Sequence, residues 1–427
     1  MSTIYALSTA PGKAGLAVIR VSGPVAFAAA EHITGHRPSD RSMALRTFRV
    51  PDGSVIDQGL LLSFPAPGSF TGENIVEFQC HGSIAVVKAM LATLDRMPDL
   101  RAAEPGEFTR RALENDRLDL VQVEALSDLI DAETDLQRRQ AMSVLSGQLS
   151  DKIATWRADL IKALSLIEAV IDFSEEDVPE DTWSEAKALL SKTHDDLKSI
   201  AQSAQSSDRL RHGYSVVILG PPNAGKSTLL NALTGRETAI TSAIPGTTRD
   251  VVETFLDWKG LPIILRDTAG LRDTDDEVES IGVARARNAA DTADLRIYLL
   301  PEGADPQIPP RPQDLIVGPK ADLGGSRDLN VSGLTGEGVE QLIAVVAERL
   351  RPVDLGQTWL LRDRYRDAIA AAAADLDDAI TGRDGLDGEE IIAESIRSAI
   401  FRLDRLIGRV VPDDVLDDIF SSFCIGK

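Results

Sequence analysis

The sequence predicts a multidomain α/β protein in which a parallel-sheet domain is inserted into a helical one, behind a separate N-terminal α/β unit. Three observations carry this. Short strand patterns separated by turn residues fill the first 118 residues. An apolar stripe at helical spacing follows Asp119 and helical patterning returns near the C-terminus. Between the two, from about 213 to 350, strands and helices alternate as in a parallel sheet. A chain of 427 residues is long enough for several domains.

In the N-terminal unit (1–118), Leu16–Val21, Gly59–Phe64 and Asn74–Gln79 read as strands, and Ile84–Leu94 has helical spacing. Proline and glycine punctuate the junctions, at Pro65, Pro67, Gly68, Gly72 and the Pro105-Gly106 turn. The first helical part (119–212) holds Met142, Leu145, Leu149, Ile153, Trp156, Leu160, Leu164, Ile167 and Ile171 in steps of three and four, which predicts one face of one long helix. A second helix is expected from Asp181-Thr182-Trp183 to about Leu210. In the inserted segment (213–350), Tyr214–Leu219, Val251–Trp258, Leu261–Arg266, Leu295–Leu300 and Leu315–Val317 read as strands, with helices from Lys226 and over Val339–Leu350. The second helical part (351–427) carries helices from Tyr365 and over Glu389–Ile407. Helical material on both sides makes insertion of one domain in another the economical reading, since domain termini often lie close together.

Hydrophobic residues make up 43% and charged residues 26%, the balance of a globular chain, and no apolar run approaches a membrane span. The formal charge of -22 argues against nucleic acid binding over the whole surface, so any such contact must be local or come through a partner. Arg110-Arg111 and Arg138-Arg139 are the candidate phosphate contacts, with ion-pairing as the blander reading. Two cysteines, Cys80 and Cys424, cannot form a disulfide framework. With no secretion signal at the N-terminus, a cytoplasmic location is expected.

Gly220-Pro-Pro-Asn-Ala-Gly-Lys-Ser227 fits the phosphate-loop pattern, after a strand and before a helix as that pattern requires. Backbone N–H groups of Asn223, Ala224 and Gly225, with those of the helix that begins at Lys226 and carries Thr228 in its first turn, supply partial positive charge. Lys226 is expected on the β- and γ-phosphates and the Ser227 hydroxyl on Mg²⁺. Asp267-Thr268-Ala269-Gly270 follows a strand, where the aspartate reaches Mg²⁺ through water and the Gly270 N–H meets the γ-phosphate. Thr248, in the polar Gly246-Thr247-Thr248 loop, is the second hydroxyl ligand for Mg²⁺. Together these resemble the translation-factor-related class of GTPases. Lys320 and Asp322 match the lysine and aspartate of Asn-Lys-x-Asp, whose carboxylate selects guanine, but Pro319 replaces the asparagine and removes an amide and an N–H. Ser332-Gly333 stands where Ser-Ala is usual. Leu271 occupies the place of a water-orienting glutamine, so hydrolysis needs other groups. Glu277 and Glu279 lie just downstream, and on composition alone both read as solvated charges.

The whole chain resembles the MnmE (TrmE) family of tRNA modification GTPases. The resemblance rests on Thr9-Ala-Pro-Gly-Lys-Ala-Gly15, Phe70-Thr-Gly-Glu73, Cys80-His-Gly82, Pro105-Gly-Glu-Phe-Thr-Arg-Arg111, Leu118-Asp-Leu-Val-Gln-Val-Glu-Ala125 and the ending Phe423-Cys-Ile-Gly-Lys427. It implies an N-terminal α/β folate-binding and dimerisation domain, a central helical domain and an inserted P-loop GTPase domain with a Ras-like parallel sheet and flanking helices. It further implies a potassium-activated GTPase acting on tRNA as a homodimer with an MnmG-type FAD protein. A 5-formyl- or methylene-tetrahydrofolate would donate the carbon for an aminomethyl or carboxymethylaminomethyl group on the wobble uridine. By the same resemblance Asn223, Ser242, Ile244 and Thr247 hold K⁺, in a loop (Ser242, Ala243, Ile244, Pro245, Gly246, Thr247, Thr248) that closes over the ion. A cation there does the work of an arginine finger. Glu279 matches the glutamate that positions the attacking water, Arg20, Glu77, Arg117 and Lys427 match folate positions, and Cys424 lies on a tail near the one-carbon chemistry. Two other readings stay open: a regulatory RNA- or ribosome-associated GTP switch, which needs no folate pocket, and a scaffold that binds no guanine nucleotide.

Overall fold

The computed structural model describes residues 2–172, 181–235, 253–266, 287–325, 327–351, 362–381, 388–410, 413–421, 423, 425 and 426. Two compact units result, Met1–Ser127 with Leu403–Lys427, and Asp128–Arg402.

The first unit holds six strands: β1 (Thr3–Leu7), β2 (Ala17–Ser22), β3 (Ser42–Arg49), β4 (Val55–Phe64), β5 (Ile75–Cys80) and β6 (Leu100–Ala102). They form one sheet in the order β3-β4-β5-β2-β1-β6, antiparallel except for the parallel β1–β6 pair. Strand period sends alternate residues to opposite faces. Ile19, Val21, Val76, Phe78 and Cys80 form one core with α1 (Ala26–Thr34) and α2 (Ile84–Asp95), through Ile33, Met90 and Leu94. Each such side chain contributes about 1.5–3 kcal/mol on burial. Ile4 and Ala6 face the other way and pack with Phe108 of α3 (Glu107–Glu114). After α4 (Leu120–Ile130) the unit is completed from the far end of the chain, where Phe420 and Phe423 pack on Val123, Leu113 and Leu118.

The second unit begins with α5 (Asp135–Leu145), α6 (Gln148–Asp172) and α7 (Asp181–His212). Asp135 is preceded by a capping box between Thr134 and Gln137, which fixes where α5 starts. The expected single long helix is two. Gly147, at φ +94°, breaks it in a left-handed conformation that a glycine adopts without a Cβ penalty, and Met142 is left exposed. Leu149, Ile153, Trp156, Leu160 and Ile167 keep one buried face on α6. There the Trp156 indole N–H donates to Asp196 Oδ2 of α7 at 3.0 Å.

From α7 the chain enters β7 (Tyr214–Leu219), then α8 (Lys226–Thr234), β8 (Glu253–Trp258), β9 (Leu261–Arg266), β10 (Leu295–Leu299), β11 (Leu315–Pro319), β12 (Asn330–Val331) and α9 (Val339–Leu350). The sheet order is β12-β11-β10-β7-β9-β8, parallel except for β8. β7 is buried at every residue, as expected of a central parallel strand covered on both faces. Val216 and Ile218 join Leu342 and Val346 on one face, and Val217 and Leu219 join Ala290 and Tyr298 on the other. α10 (Asp363–Thr381) and α11 (Glu389–Leu406) close the helical part. Among the described residues, no helix is long and apolar enough to cross a membrane.

Candidate functional site

The phosphate loop leaves β7 at Gly220, whose missing Cβ would lie 2.4 Å from the Leu299 carbonyl oxygen, so the loop starts flush against β10. Asn223 adopts φ +59°, and Gly225 caps α8 in a left-handed conformation before Lys226 begins the helix. The Lys226 ammonium donates to the carbonyls of Gly220 and Pro221, both at 2.9 Å, and so lies over its own loop. The Ala224 side chain is buried, whereas Asn223, Ser227 and Thr228 are exposed on the loop and the first helical turn. This puts backbone donors, a helix N-terminus and an ammonium in one place, the arrangement that binds a phosphate chain.

Beside the loop, at the carboxyl ends of β10 and β11, lies a cavity of about 430 Å³. Asn223 and Ala224 line one side of it, and Pro319, Lys320 and Asn330 the other. The fold thus brings Lys320 to the same cavity as the phosphate loop, at the end of the strands where open α/β sheets take ligands. Asp322 stands exposed on the short 3-10 turn Ala321–Leu323 that follows and is not among the lining residues. Gly333 has a packing reason: a Cβ there would lie 2.6 Å from Leu229 N and from the Thr228 carbonyl carbon. Ser242, Ala243, Ile244, Pro245, Gly246, Thr247, Thr248, Asp267, Thr268, Ala269, Gly270 and Glu279 lie outside the described residues.

In the first unit, register places Arg20 opposite Glu77, and the Arg20 Nε donates to Glu77 Oε1 at 2.8 Å. The guanidinium lies 5.6 Å from the Phe70 ring centroid and 5.7 Å from that of Phe108. Ser22 donates to Glu73 Oε2 at 2.7 Å and bonds Thr71, which ties the loop carrying Phe70 to β2. Gly72 of the same loop abuts the Arg117 side chain, and the Asn115 amide donates to the Thr71 carbonyl at 2.7 Å. Arg20, Glu77 and Arg117 are therefore gathered around one loop.

Beneath it, Arg111 is nearly fully buried and bonds Glu73 and Glu107, while Arg101 bonds Glu107 from outside. Burial works to raise the Glu107 carboxyl. The bond from Arg101, the Glu104 N–H and Arg111 outweigh it and hold the group below its ordinary value. Arg110 pairs with Asp417, and Arg138 and Arg139 both pair with Asp135, so all four candidate phosphate arginines are ion-pair partners.

The chain end arrives at this face. Ile425 makes an antiparallel bridge to Pro105, and Gly426 abuts the carbonyl of Leu7, where β1 ends. Cys424 and Lys427 lie outside the described residues. Cys80 is buried in the core, and burial, with the nearby Asp57 charge, pushes its thiol up to about 11, which makes it an inert thiol. The His81 backbone N–H donates to Asp57 at 2.7 Å, a contact that motif reading did not single out.

Fold and loop together define a P-loop nucleotide-binding protein of the GTPase type, joined to a helical domain and an N-terminal sheet domain. A family model for the MnmE helical domain matches residues 120–424, and one for the GTP-binding protein TrmE N-terminus matches residues 3–117. The tRNA modification GTPase MnmE of Dinoroseobacter shibae is 48% identical over 429 residues, and that of Cereibacter sphaeroides strain ATH 2.4.9 is 50% identical over 429 residues, each alignment covering 100% of both chains. The G domain of the FeoB iron transporter of T. maritima is 25% identical, covering 32% of this chain and 99% of that one, with a TM-score of 0.24. The chain belongs to the MnmE (TrmE) family.

Proposed function

We propose that this chain is a potassium-activated GTPase that, with an MnmG-type FAD protein, modifies C5 of the tRNA wobble uridine using a folate one-carbon donor. The relatives' shared name, tRNA modification GTPase, supports the substrate, and the geometry of the phosphate loop carries the nucleotide part. In this reading residues 213–350 hydrolyse GTP, 119–212 and 351–427 form the helical domain, and 1–118 bind folate and form a homodimer in the cytoplasm.

Lys226 withdraws from the Gly220 and Pro221 carbonyls to neutralise the β- and γ-phosphates, and Asp322 reads the guanine N1 and N2 donors. The exposed Ser227 hydroxyl is a hard oxygen donor that suits Mg²⁺, which it would hold with Thr248. Asn223, which lines the cavity, carries a side-chain carbonyl that suits K⁺, which it would share with Ser242, Ile244 and Thr247. The cations supply positive charge beside the phosphates. Glu279 orients the attacking water in place of the glutamine that Leu271 replaces. In the first unit, the Arg20–Glu77 pair beside the partly buried Phe70 ring offers a carboxylate and an apolar face that suit a flat pterin, with Arg117 and Lys427 for its anionic tail. Cys424 acts at the one-carbon chemistry.

Steady-state hydrolysis of GTP and ATP, in KCl and in NaCl at equal ionic strength, tests the nucleotide part. Turnover of GTP that is fast only in potassium is expected; equal slow turnover in both salts would remove the potassium mechanism. The Cys424→Ser protein should keep GTP turnover and lose tRNA modification, and normal modification would rule out the thiol.

A further inference from the structure

The turn that carries Lys320 and Asp322 has proline, not an amide, at position 319, and the amide of Asn330 lies against both ends of that turn. Asn330 begins β12 and pairs in register with Gly318, the residue before Pro319. Its amide is fixed by one backbone residue: Nδ2 donates to the Arg327 carbonyl at 2.5 Å and Oδ1 accepts the Arg327 N–H at 3.3 Å. Donor to carbonyl and acceptor to N–H determine which way the amide points.

Both ends of the turn close on that amide. A Cβ at Gly318 would lie 2.1 Å from Asn330 Oδ1, and one at Gly325 would lie 2.4 Å from Asn330 Cγ and 2.6 Å from Nδ2. Neither residue can carry a side chain while Asn330 stays where it is. Lys320 and Asp322 lie on the segment between these two glycines. Asn330 also lines the cavity shared with Asn223 and Lys320. Arg327, which holds the amide, itself donates from Nε to the Leu300 carbonyl at 3.0 Å, so the clamp is anchored to the end of β10.

We propose that Asn330 is the positioning residue of the guanine-recognition turn, its amide clamped between Gly318 and Gly325 in place of the one that Pro319 removes. It acts through Asp322 by fixing the turn on which that carboxylate is carried. The assignment rests on the GTP reading above and deepens it, because it names what selects the base.

Equilibrium binding of GDP and IDP to the full chain tests it. IDP lacks the 2-amino group, so the gap between the two reports how well Asp322 is placed. The unaltered protein should bind GDP more tightly than IDP. In Asn330→Ala, GDP binding should fall by about tenfold or more, the cost of unmaking a fixed hydrogen-bonded clamp, and the gap should narrow. Adding Pro319→Asn to that variant should restore the gap, which recovery of mere stability would not do. Asn330→Asp keeps the shape but loses the donor to the Arg327 carbonyl, and serves if Asn330→Ala does not fold; it should narrow the gap too. A gap unchanged in the folded variant, or equal losses for both nucleotides, would overturn the role of Asn330. Failure of the unaltered protein to prefer GDP would overturn the guanine reading itself, and this assignment with it.

Discussion

The two candidate sites are built from different material. The phosphate loop is made of backbone: it runs from Gly220 to Ser227, between β7 and the N-terminus of α8, whose first N–H groups have no partner within the helix. The N-terminal face is made of side chains drawn from β2, β5, the loop at Phe70 and the segment after α3, with the backbone at Ile425 bridged to Pro105. A backbone site tolerates change at most positions but depends on a few glycines and one lysine. A side-chain site spreads its dependence over many ion pairs and packing contacts, each with a modest effect.

That contrast can be broken most severely at Lys226. Lys226→Ala should lower nucleotide affinity by more than about a hundredfold, since the charge-assisted contact made by the ammonium that lies over the phosphate loop is lost. Nucleotide titration checks this, and sedimentation should show any dimer unchanged.

Glu107→Gln should destabilise the first unit by about 3 kcal/mol, because Arg111 stays buried with one partner fewer. Urea unfolding of the full chain reads it. Since the Glu107 carboxyl is held below its ordinary 4.5 in the folded protein, its contribution is present above that value and is lost as pH falls through the folded value. The unaltered protein should therefore lose stability below about pH 4.5 more steeply than Glu107→Gln.

Gly333→Ala sharpens the comparison at the other site. A Cβ 2.6 Å from the Thr228–Leu229 peptide must push α8 or the loop aside, at about 1–3 kcal/mol, with weaker nucleotide binding. The smallest effect on stability is expected at Gly426, where a Cβ would meet the Leu7 carbonyl at 2.2 Å and φ is +97°. Gly426→Ala should lift the chain end, with a change in unfolding free energy below about 1 kcal/mol, since a chain terminus is held by few contacts. GTP turnover should stay intact while folate binding weakens. Unchanged folate binding would separate the tail from the N-terminal site.

Much of the second unit was legible in the residues. β7, β9 and α9 fall where apolar runs and periodicity place them, because a buried parallel strand must be apolar throughout and an amphipathic helix must repeat. The break at Gly147 was not, since one apolar stripe carries across a helix junction without interruption. In the first unit β1, β3 and α1 passed unremarked. β3 is an edge strand with exposed Met43 and Leu45, and Phe48 alone of its residues is buried, so no apolar alternation reveals it.

The local chemistry of phosphate binding was written in eight adjacent residues, because a loop that wraps a phosphate uses its own backbone and needs no distant partner. The insertion of a parallel-sheet domain between helical segments was equally readable from the order of periodicities. Which side chains meet was decided by tertiary structure alone. Arg20 reads as an edge-strand charge until register sets it against Glu77 and the sheet face brings Phe70 and Phe108 to its guanidinium. Asn330 reads as an ordinary polar residue until parallel pairing lays it beside Gly318. Ile425 meets Pro105 across about three quarters of the chain's length. Contacts of this kind come from closing loops and pairing strands over long separations, and periodicity carries no information about them.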